Sequence, residues 1–500
     1  MMQAVSSSNS RRDILQNSRF IPLMLASGGD HRIAVPHGAN TNAYGASPYP
    51  RSTLGYASST ANDISLDAFR HLEGLIARQP AGELTDPAAY RCALDGFRHR
   101  IRDVWQLDPA TDIVFAPSGT DLEFVALAIA GGLGDAGPHF AHGTARPVTN
   151  VLLGHDEVGS GCALAAAGRY FAGQTAVSTE IAKGSPVDGL NQTSIVNIPV
   201  RDAVGQPVSC ATITQQIDAL ARAAARQGRQ VLAHVVHGSK TGLVLPSLAG
   251  IDTLRARLGD RVRFVVDACQ ARIEGHAIRA YLERDAIVML TGSKFMGGPP
   301  FSGFALVPPR LRPRHRLAGG LANIFRRGEW PLDWSCCDDL PVGANPGLRL
   351  RLEAALFELE RFGLIEPARR DRVIALFGSA VRGLAARLGV GLVGPALASD
   401  ALHHGTLATL DLSVLPGRPD FAMAQRWYRV LAARGMRLGQ PVKCVLGTDG
   451  GWAGTLRISL SMPLIVHLSQ LDEVTLSRRL HRDMLQIAEV LEAAQRPVVA

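Results

Sequence analysis

From about residue 63 the chain alternates stretches with apolar residues at helical spacing and short continuous apolar runs bounded by Gly, Pro or charged residues. That alternation is the pattern of an α/β fold built on a mostly parallel sheet. The apolar runs predict strands over Asp112–Ala116, Val148–Gly154, Ser194–Pro199, Gln230–Val236, Val262–Asp267, Ala286–Thr291 and Ser302–Val307. Helical spacing predicts helices over Asp121–Leu133, Gly159–Phe171, Ile213–Arg226 and Leu248–Arg257. The Pro- and Arg-rich stretch Pro308–Arg316 and the loop Cys336–Pro346 then lead to a region of different pattern. It has long helices over Leu348–Phe362 and Pro367–Leu388, a strand over Thr406–Leu412, a helix over Phe421–Arg434, a strand over Thr455–Leu460 and a last helix over Leu471–Ala494. The expected organisation is an N-terminal tail and arm (1–60), a three-layer α/β/α large domain (61–345) and a smaller α+β C-terminal domain (346–500). Arg11-Arg12 and the short apolar stretch Phe20–Ala26 lack the length and cleavage signal of a leader and read as a mobile tail.

Composition narrows the function classes. Of 500 residues, 46% are hydrophobic and 19% charged, the balance of a chain that buries a large core rather than a disordered one. No apolar run reaches the roughly 18 to 20 residues of a membrane-spanning helix, since Phe124–Leu133 and Ala286–Leu290 end early. The seven cysteines (Cys92, Cys162, Cys210, Cys269, Cys336, Cys337 and Cys444) are widely spaced with no paired C-x-x-C, which fits reduced thiols in a cytoplasm and no metal site. The net charge of +8 raises nucleic acid as a partner, but the basic runs Arg310–Arg316, Arg326-Arg327 and Arg369–Arg372 carry no stacking aromatics, so a solvated basic surface is expected.

Ligand sites in parallel sheets lie beyond the carboxyl ends of the strands. There, Pro117-Ser118-Gly119-Thr120 follows one strand and feeds a helix, placing free backbone N–H groups, two hydroxyls and a helix N-terminus together as a phosphate cradle. Ser and Thr at such a place also serve as simple N-caps. After another strand comes Asp267-Ala268-Cys269-Gln270, whose acid either caps the next helix or pairs with a cationic ring nitrogen. Thr291-Gly292-Ser293-Lys294 ends a further buried-type strand, and a lysine among small residues there is a candidate for Schiff-base chemistry. His237-Gly238-Ser239-Lys240-Thr241-Gly242 also follows a strand. His237 or Ser239 is expected to touch the ligand, and Lys240 to be structural or a surface charge.

In this order, SGT, VDACQ, TGSK and the C-terminal Leu456-Arg457-Ile458-Ser459-Leu460 resemble the fold-type-I pyridoxal-phosphate enzymes, and within them the class V aminotransferase and cysteine desulfurase group. The resemblance spans roughly residues 60 to 465 and implies pyridoxal 5′-phosphate as cofactor. It further implies that Lys294 holds the cofactor as a Schiff base and moves the substrate proton, that Asp267 pairs with the ring nitrogen, and that Gln270 bonds the ring oxygen. Ser118, Gly119, Thr120, Thr291 and Ser293 would hold the phosphate. His155 matches the residue stacked on the ring, although its neighbours Asp156-Glu157 depart from the group's pattern and a surface-loop histidine is the competing assignment. Arg457 matches the arginine that grips the substrate carboxylate, so a small amino acid is the implied substrate.

The polar segment Asn40–Gly45 to Ser58-Ser59-Thr60 corresponds to an arm that crosses onto the pocket in the family, making Asn42 and Tyr44 candidates for substrate selection. Cys444 lies 13 residues before Arg457, near the place of a desulfurase cysteine but without its H-C-A-x-P context, and a small buried apolar residue is the commoner role. The expectation is an aminotransferase, with a C–S lyase or desulfurase as one alternative and a non-catalytic cofactor-binding regulator as another. The resemblance also implies a homodimer.

Overall fold

In the computed structural model the described residues are 20–57, 62–80, 82–132, 147–155, 157–159, 161–393, 405–447 and 450–495. Arg11-Arg12, Ser58-Ser59-Thr60, Leu133 and Asp156 lie outside them. After a short β1 (Leu54–Tyr56), the apolar runs become the strands of one sheet. They are β2 (Asp112–Ala116), β3 (Val148–Leu153), β4 (Ser194–Ile198), β5 (Gln230–His237), β6 (Val244–Leu245), β7 (Val262–Asp267), β8 (Ala286–Thr291) and β9 (Gly303–Val307). The spatial order is β2-β9-β8-β7-β5-β3-β4, with β6 paired to β5. Strands β4, β3, β5, β7 and β8 run parallel, while β9 lies antiparallel between β8 and β2.

Every residue of β5 and β8 is buried, because helices or loops cover both faces of the sheet, and such strands read as near-continuous apolar runs. The crossover helix Cys210–Arg226 shows the complementary pattern: Ile213, Ile217, Ala221 and Ala224 make one buried stripe, and the Ser209 hydroxyl accepts the N–H of Thr212 at the helix start. The helix Leu122–Gly132 instead is buried on all sides. It lies between the sheet and a layer of short turns carrying Leu321, Phe325, Trp330 and Trp334, so its sequence has no polar face.

C-terminal to this sheet, strands β10 (Gly391–Val393), β11 (Leu407–Asp411) and β13 (Thr455–Ser459) form a second, antiparallel sheet, and β12 (Met436–Leu438) pairs in parallel with β1. The fold is thus α/β with a large, mostly parallel sheet, as expected. No helix among the described residues is long and apolar enough to cross a membrane.

Two expectations are corrected. The helix expected over Gly159–Phe171 is only Cys162–Ala166, because Gly168 turns the chain at φ +67° in a place where a Cβ would meet the Leu190 carbonyl oxygen at 2.5 Å. The stretch Phe20–Ala26, read as a mobile tail, begins with a buried helical segment instead. Ile21 and Leu25 pack against Phe69, Leu72, Leu350 and Ala354. The fully buried Arg351 anchors the end of this segment and the turn beyond it, donating to the carbonyls of Leu25, Ser27, Gly28 and Phe301. A guanidinium has five donors in a fixed fork, so it can satisfy several buried carbonyls at once.

Candidate active site

The carboxyl ends of β2, β5, β7 and β8 open onto one cavity of about 200 Å³, walled on its other sides by the N-terminal segment and by Gln440 and Arg457. Ser118, Gly119, Thr120, Ser239, Asp267, Gln270, Thr291, Ser293, Lys294, Arg457 and Tyr44 all line it. Residues from six separate parts of the sequence therefore meet at one place.

At one end is the turn after β2. The Ser118 hydroxyl accepts the Asp121 N–H at 3.2 Å and donates to the Asp121 carboxylate at 2.6 Å, so it caps the helix that starts there. The turn also lies close against its neighbours, since a Cβ on Gly119 would stand 2.5 Å from Thr291 Cγ2. Only glycine lets this backbone approach so closely. The Thr291 hydroxyl donates to the Cys269 carbonyl at 2.8 Å.

The sheet floor carries Asp267, whose Oδ1 accepts the Cys269 N–H at 3.0 Å. Two further ionisable groups lie in this layer: Glu123 from the helix over the sheet and His234 from β5, both almost wholly buried, with His234 Nε2 3.4 Å from Glu123 Oε2. Burial pushes the Glu123 carboxyl well above the usual carboxylate range, and the negative charge of Asp267 adds to the effect. Burial also pushes the His234 imidazole down to about 4, against the pull of Asp267. Burial thus disfavours the charged form of both groups, and His234 is neutral near pH 7. Glu123→Gln, which keeps the shape and removes a carboxyl whose charged form burial already disfavours, is expected to leave the melting temperature within about 2 °C of the parent, as thermal unfolding will check; Glu123→Lys is expected to lower it by several degrees through an unpaired buried charge.

Lys294 follows β8 directly, and the Asn62 side chain donates to its carbonyl at 3.0 Å. The opposite wall holds Arg457, which donates from Nε to the Gln440 carbonyl at 2.8 Å and from Nη1 to the Lys240 carbonyl at 3.2 Å. Burial lowers the Arg457 guanidinium to about 10, still charged at neutral pH. Lys240, expected to be structural or a surface charge, lines the cavity beside it, and burial together with the charges of Arg457 and Lys294 brings its ammonium down to about 8.

Three candidates are placed elsewhere. His155 is exposed, with its backbone N–H bonded to Asn197 Oδ1 at 3.1 Å, and the cavity wall after β3 is made by Glu157, Val158 and Gly159 instead. Gly154 turns the chain at φ +56° just before His155. His237 points away because strand pleating alternates side chains: Val236 and Gly238 line the cavity, while His237 Nδ1 meets the Tyr281 hydroxyl at 2.9 Å on the other face. Asn42 shapes the arm, its side-chain oxygen accepting the N–H groups of Tyr44 and Ala46 at 2.9 and 3.1 Å, as in an Asx turn. Ser239 lines the cavity but donates its hydroxyl proton to Glu157 Oε2 at 2.7 Å.

Cavity residues not anticipated from the sequence include Arg32, Glu123, Glu157, Lys240, Phe301 and Gln440. One signal was present: Glu123 is a lone charge in an otherwise apolar helix. Cys444 is buried and does not line the cavity, and burial holds its thiol protonated up to about 12.

This architecture, with an antiparallel strand inserted in a parallel sheet and the cavity at the strands' carboxyl ends, is the fold found in solved structures of aminotransferases and cysteine desulfurases. Among solved structures, the chain is similar to alanine–glyoxylate aminotransferase from Nostoc sp., at 16% identity and a TM-score of 0.53, covering 90% of this chain and 96% of that one. It is similar to the cysteine desulfurase from Thermococcus onnurineus NA1, at 15% identity and a TM-score of 0.53, over 87% and 95% of the two chains. It also resembles a NifS-like protein, at 12% identity and a TM-score of 0.53, over 88% of this chain and 100% of that one. No family model matches the sequence, and no curated protein matches it.

Proposed function

We propose that this chain is a pyridoxal 5′-phosphate-dependent enzyme acting on a small amino acid, and that it moves the amino group as an aminotransferase. The observation that carries this is the convergence on one cavity of a lysine after β8, an aspartate ending β7 and the Ser118–Thr120 turn, with an arginine on the facing wall. The residues fit the cofactor. The turn at Gly119 is a cradle that a Cβ would fill, and Asp267 supplies a carboxyl group to a layer where burial disfavours the charged forms of Glu123 and His234. When bound, the cofactor supplies a cationic ring that delocalises the electron pair left at the substrate Cα.

The protein does the rest. Arg457 binds the substrate carboxylate through its planar fork and orients the Cα. Lys294 would hold the cofactor, and its ε-amine would carry a proton to and from the substrate Cα as a general base and acid. Asp267 would keep the ring nitrogen protonated by ion pairing, Gln270, which lines the same cavity, would bond the ring oxygen, and Ser293 and Thr120 would offer hydroxyls to the phosphate. Tyr44, held by the Asx turn at Asn42 with its ring centroid 6.0 Å from that of Phe301, closes the cavity on the side of the N-terminal segment. The 61–345 and 346–500 regions would act as the large and small domains, in a homodimer within a reducing cytoplasm.

Aminotransferase and cysteine desulfurase structures are both similar to this fold. The absence of Cys444 from the cavity and its protonated thiol favour transamination over sulfur transfer through that residue. A panel of amino acids incubated with the cofactor-loaded enzyme, with separate detection of keto acid, ammonia and sulfide, tests the assignment. Keto acid formed only with an added amino acceptor supports it; ammonia or sulfide released without an acceptor replaces it with a lyase.

Lys240 gives a pH test. Its ammonium lies beside Arg457 and is influenced by Lys294, Glu157 and Cys162. Below pH 8 its positive charge adds to the attraction for a carboxylate; as pH rises through about 8 the charge is lost, and kcat/KM is expected to fall severalfold. In Lys240→Met that limb of the pH profile should be absent, and its persistence would assign it to another group.

A further inference from the structure

We propose that Arg32, from the N-terminal segment of the same chain, supplies the positive charge that meets the cofactor phosphate. This rests on the reading of the cavity as a pyridoxal-phosphate site.

Three contacts place Arg32. Its guanidinium carbon lies 5.0 Å from the ring centroid of Phe171. Phe171 in turn stacks on Phe124, in the helix that begins at the Ser118–Thr120 turn. A Cβ on Gly161 would stand 3.1 Å from Thr120 Cγ2 and 3.5 Å from the Phe171 ring, so Thr120 and Phe171 flank one point of the backbone. Arg32 is therefore at the phosphate end of the cavity, which it lines.

Its orientation is fixed. Nε and Nη2 donate to the two oxygens of the buried Asp30 at 2.7 and 2.6 Å, and the rings of Phe171, Phe301 and Tyr44 enclose the guanidinium at 5.0, 5.4 and 5.9 Å. Nη1 has no protein acceptor among the described residues. Cation–π enclosure and a bidentate carboxylate together hold a planar fork in one pose, so little freedom is lost when its remaining edge binds an anion.

The phosphate end needs such a charge. A phosphate monoester carries roughly −1.5 to −2 at pH 7. Of the hydroxyls available to it, that of Ser118 donates to Asp121 and that of Thr291 to the Cys269 carbonyl. Asp121 is itself acidic, and its carboxyl is buried enough that its pKa rises to about 7. Neutral backbone donors facing a dianion, with a second acid behind them, leave a charge imbalance that a guanidinium offsets. The other cavity cations are committed elsewhere: Arg457 and Lys240 adjoin at the substrate wall, and Lys294 has the covalent role.

The test compares pyridoxal 5′-phosphate with pyridoxal, which lacks the phosphate, by titrating each into the full-length cofactor-free protein. In Arg32→Gln the phosphate form is expected to bind about 10- to 100-fold more weakly, the loss of one charge-assisted hydrogen bond, whereas pyridoxal binding changes less than about twofold. Arg32→Met, which keeps the contact with the three rings without the charge, carries the same expectation if the glutamine variant does not fold. Arg32→Lys should retain part of the preference for the phosphate form. Equal loss for both ligands, or unchanged affinity for the phosphate form with a raised substrate KM, would overturn the assignment. Failure of the parent protein to bind either ligand would instead overturn the cofactor reading itself.

Discussion

Lys294→Ala is expected to abolish turnover of the amino-acid substrate, with a loss on the order of 10³-fold or more, and to leave the fold intact. The magnitude follows from the two tasks placed on one ε-amine: holding the cofactor covalently and moving the Cα proton, the second alone being worth about 10²- to 10⁴-fold. The intact fold follows from its surroundings. Lys294 is only partly buried, and its backbone, not its side chain, holds the neighbouring Asn62. Steady-state kinetics with far-UV circular dichroism checks both halves. A second readout is independent of turnover: borohydride reduction followed by peptide mass spectrometry should fix the cofactor to Lys294 in the parent and to no residue in the variant. Labelling at Lys240 instead would reassign the roles of the two lysines.

The second large effect is expected at Asp267. Asp267→Ala should lower turnover by on the order of 10²- to 10³-fold, the size seen when a preorganised charge is removed from a developing one. It should also weaken cofactor binding. The buried layer explains why no neighbour takes over: burial disfavours the charged forms of both Glu123 and His234. Burial is the larger cause of the raised Glu123 carboxyl, but removing Asp267 also removes the charge that adds to it, so that carboxyl should titrate at somewhat lower pH in the variant. Asp267→Asn keeps shape and hydrogen bonding without the charge and should lose nearly as much activity as the alanine variant. If asparagine restores most of it, Asp267 acts through its bond to the Cys269 N–H rather than through its charge.

Most of the strands of the main sheet were legible because strands buried on both faces are written as unbroken apolar runs, β5 and β8 being clear cases. Residues at the ends of those strands were legible too, since a strand end points one way and the turn after it is short: Ser118–Thr120, Asp267, Thr291 and Lys294 all reach the cavity. What failed depended on orientation within a turn or on the parity of a strand. One residue along β5 separates His237, which faces Tyr281, from Gly238, which faces the cavity. The turn at Gly154 sends His155 outward although it comes just after β3. The short strands β1, β10 and β12 had no periodicity of their own to read, each being three residues long and formed by pairing with a partner.

The sequence by itself determined the sheet, the order of its strands along the chain and the small-residue turns that end them, because hydrophobic periodicity and glycine or hydroxyl residues act within a few positions of one another. Only the tertiary structure decided the cavity's charge. Arg32, Glu123, Lys240 and Arg457 come from four distant stretches, and whether each is neutral, charged or paired is set by burial and by neighbours that no local spacing records.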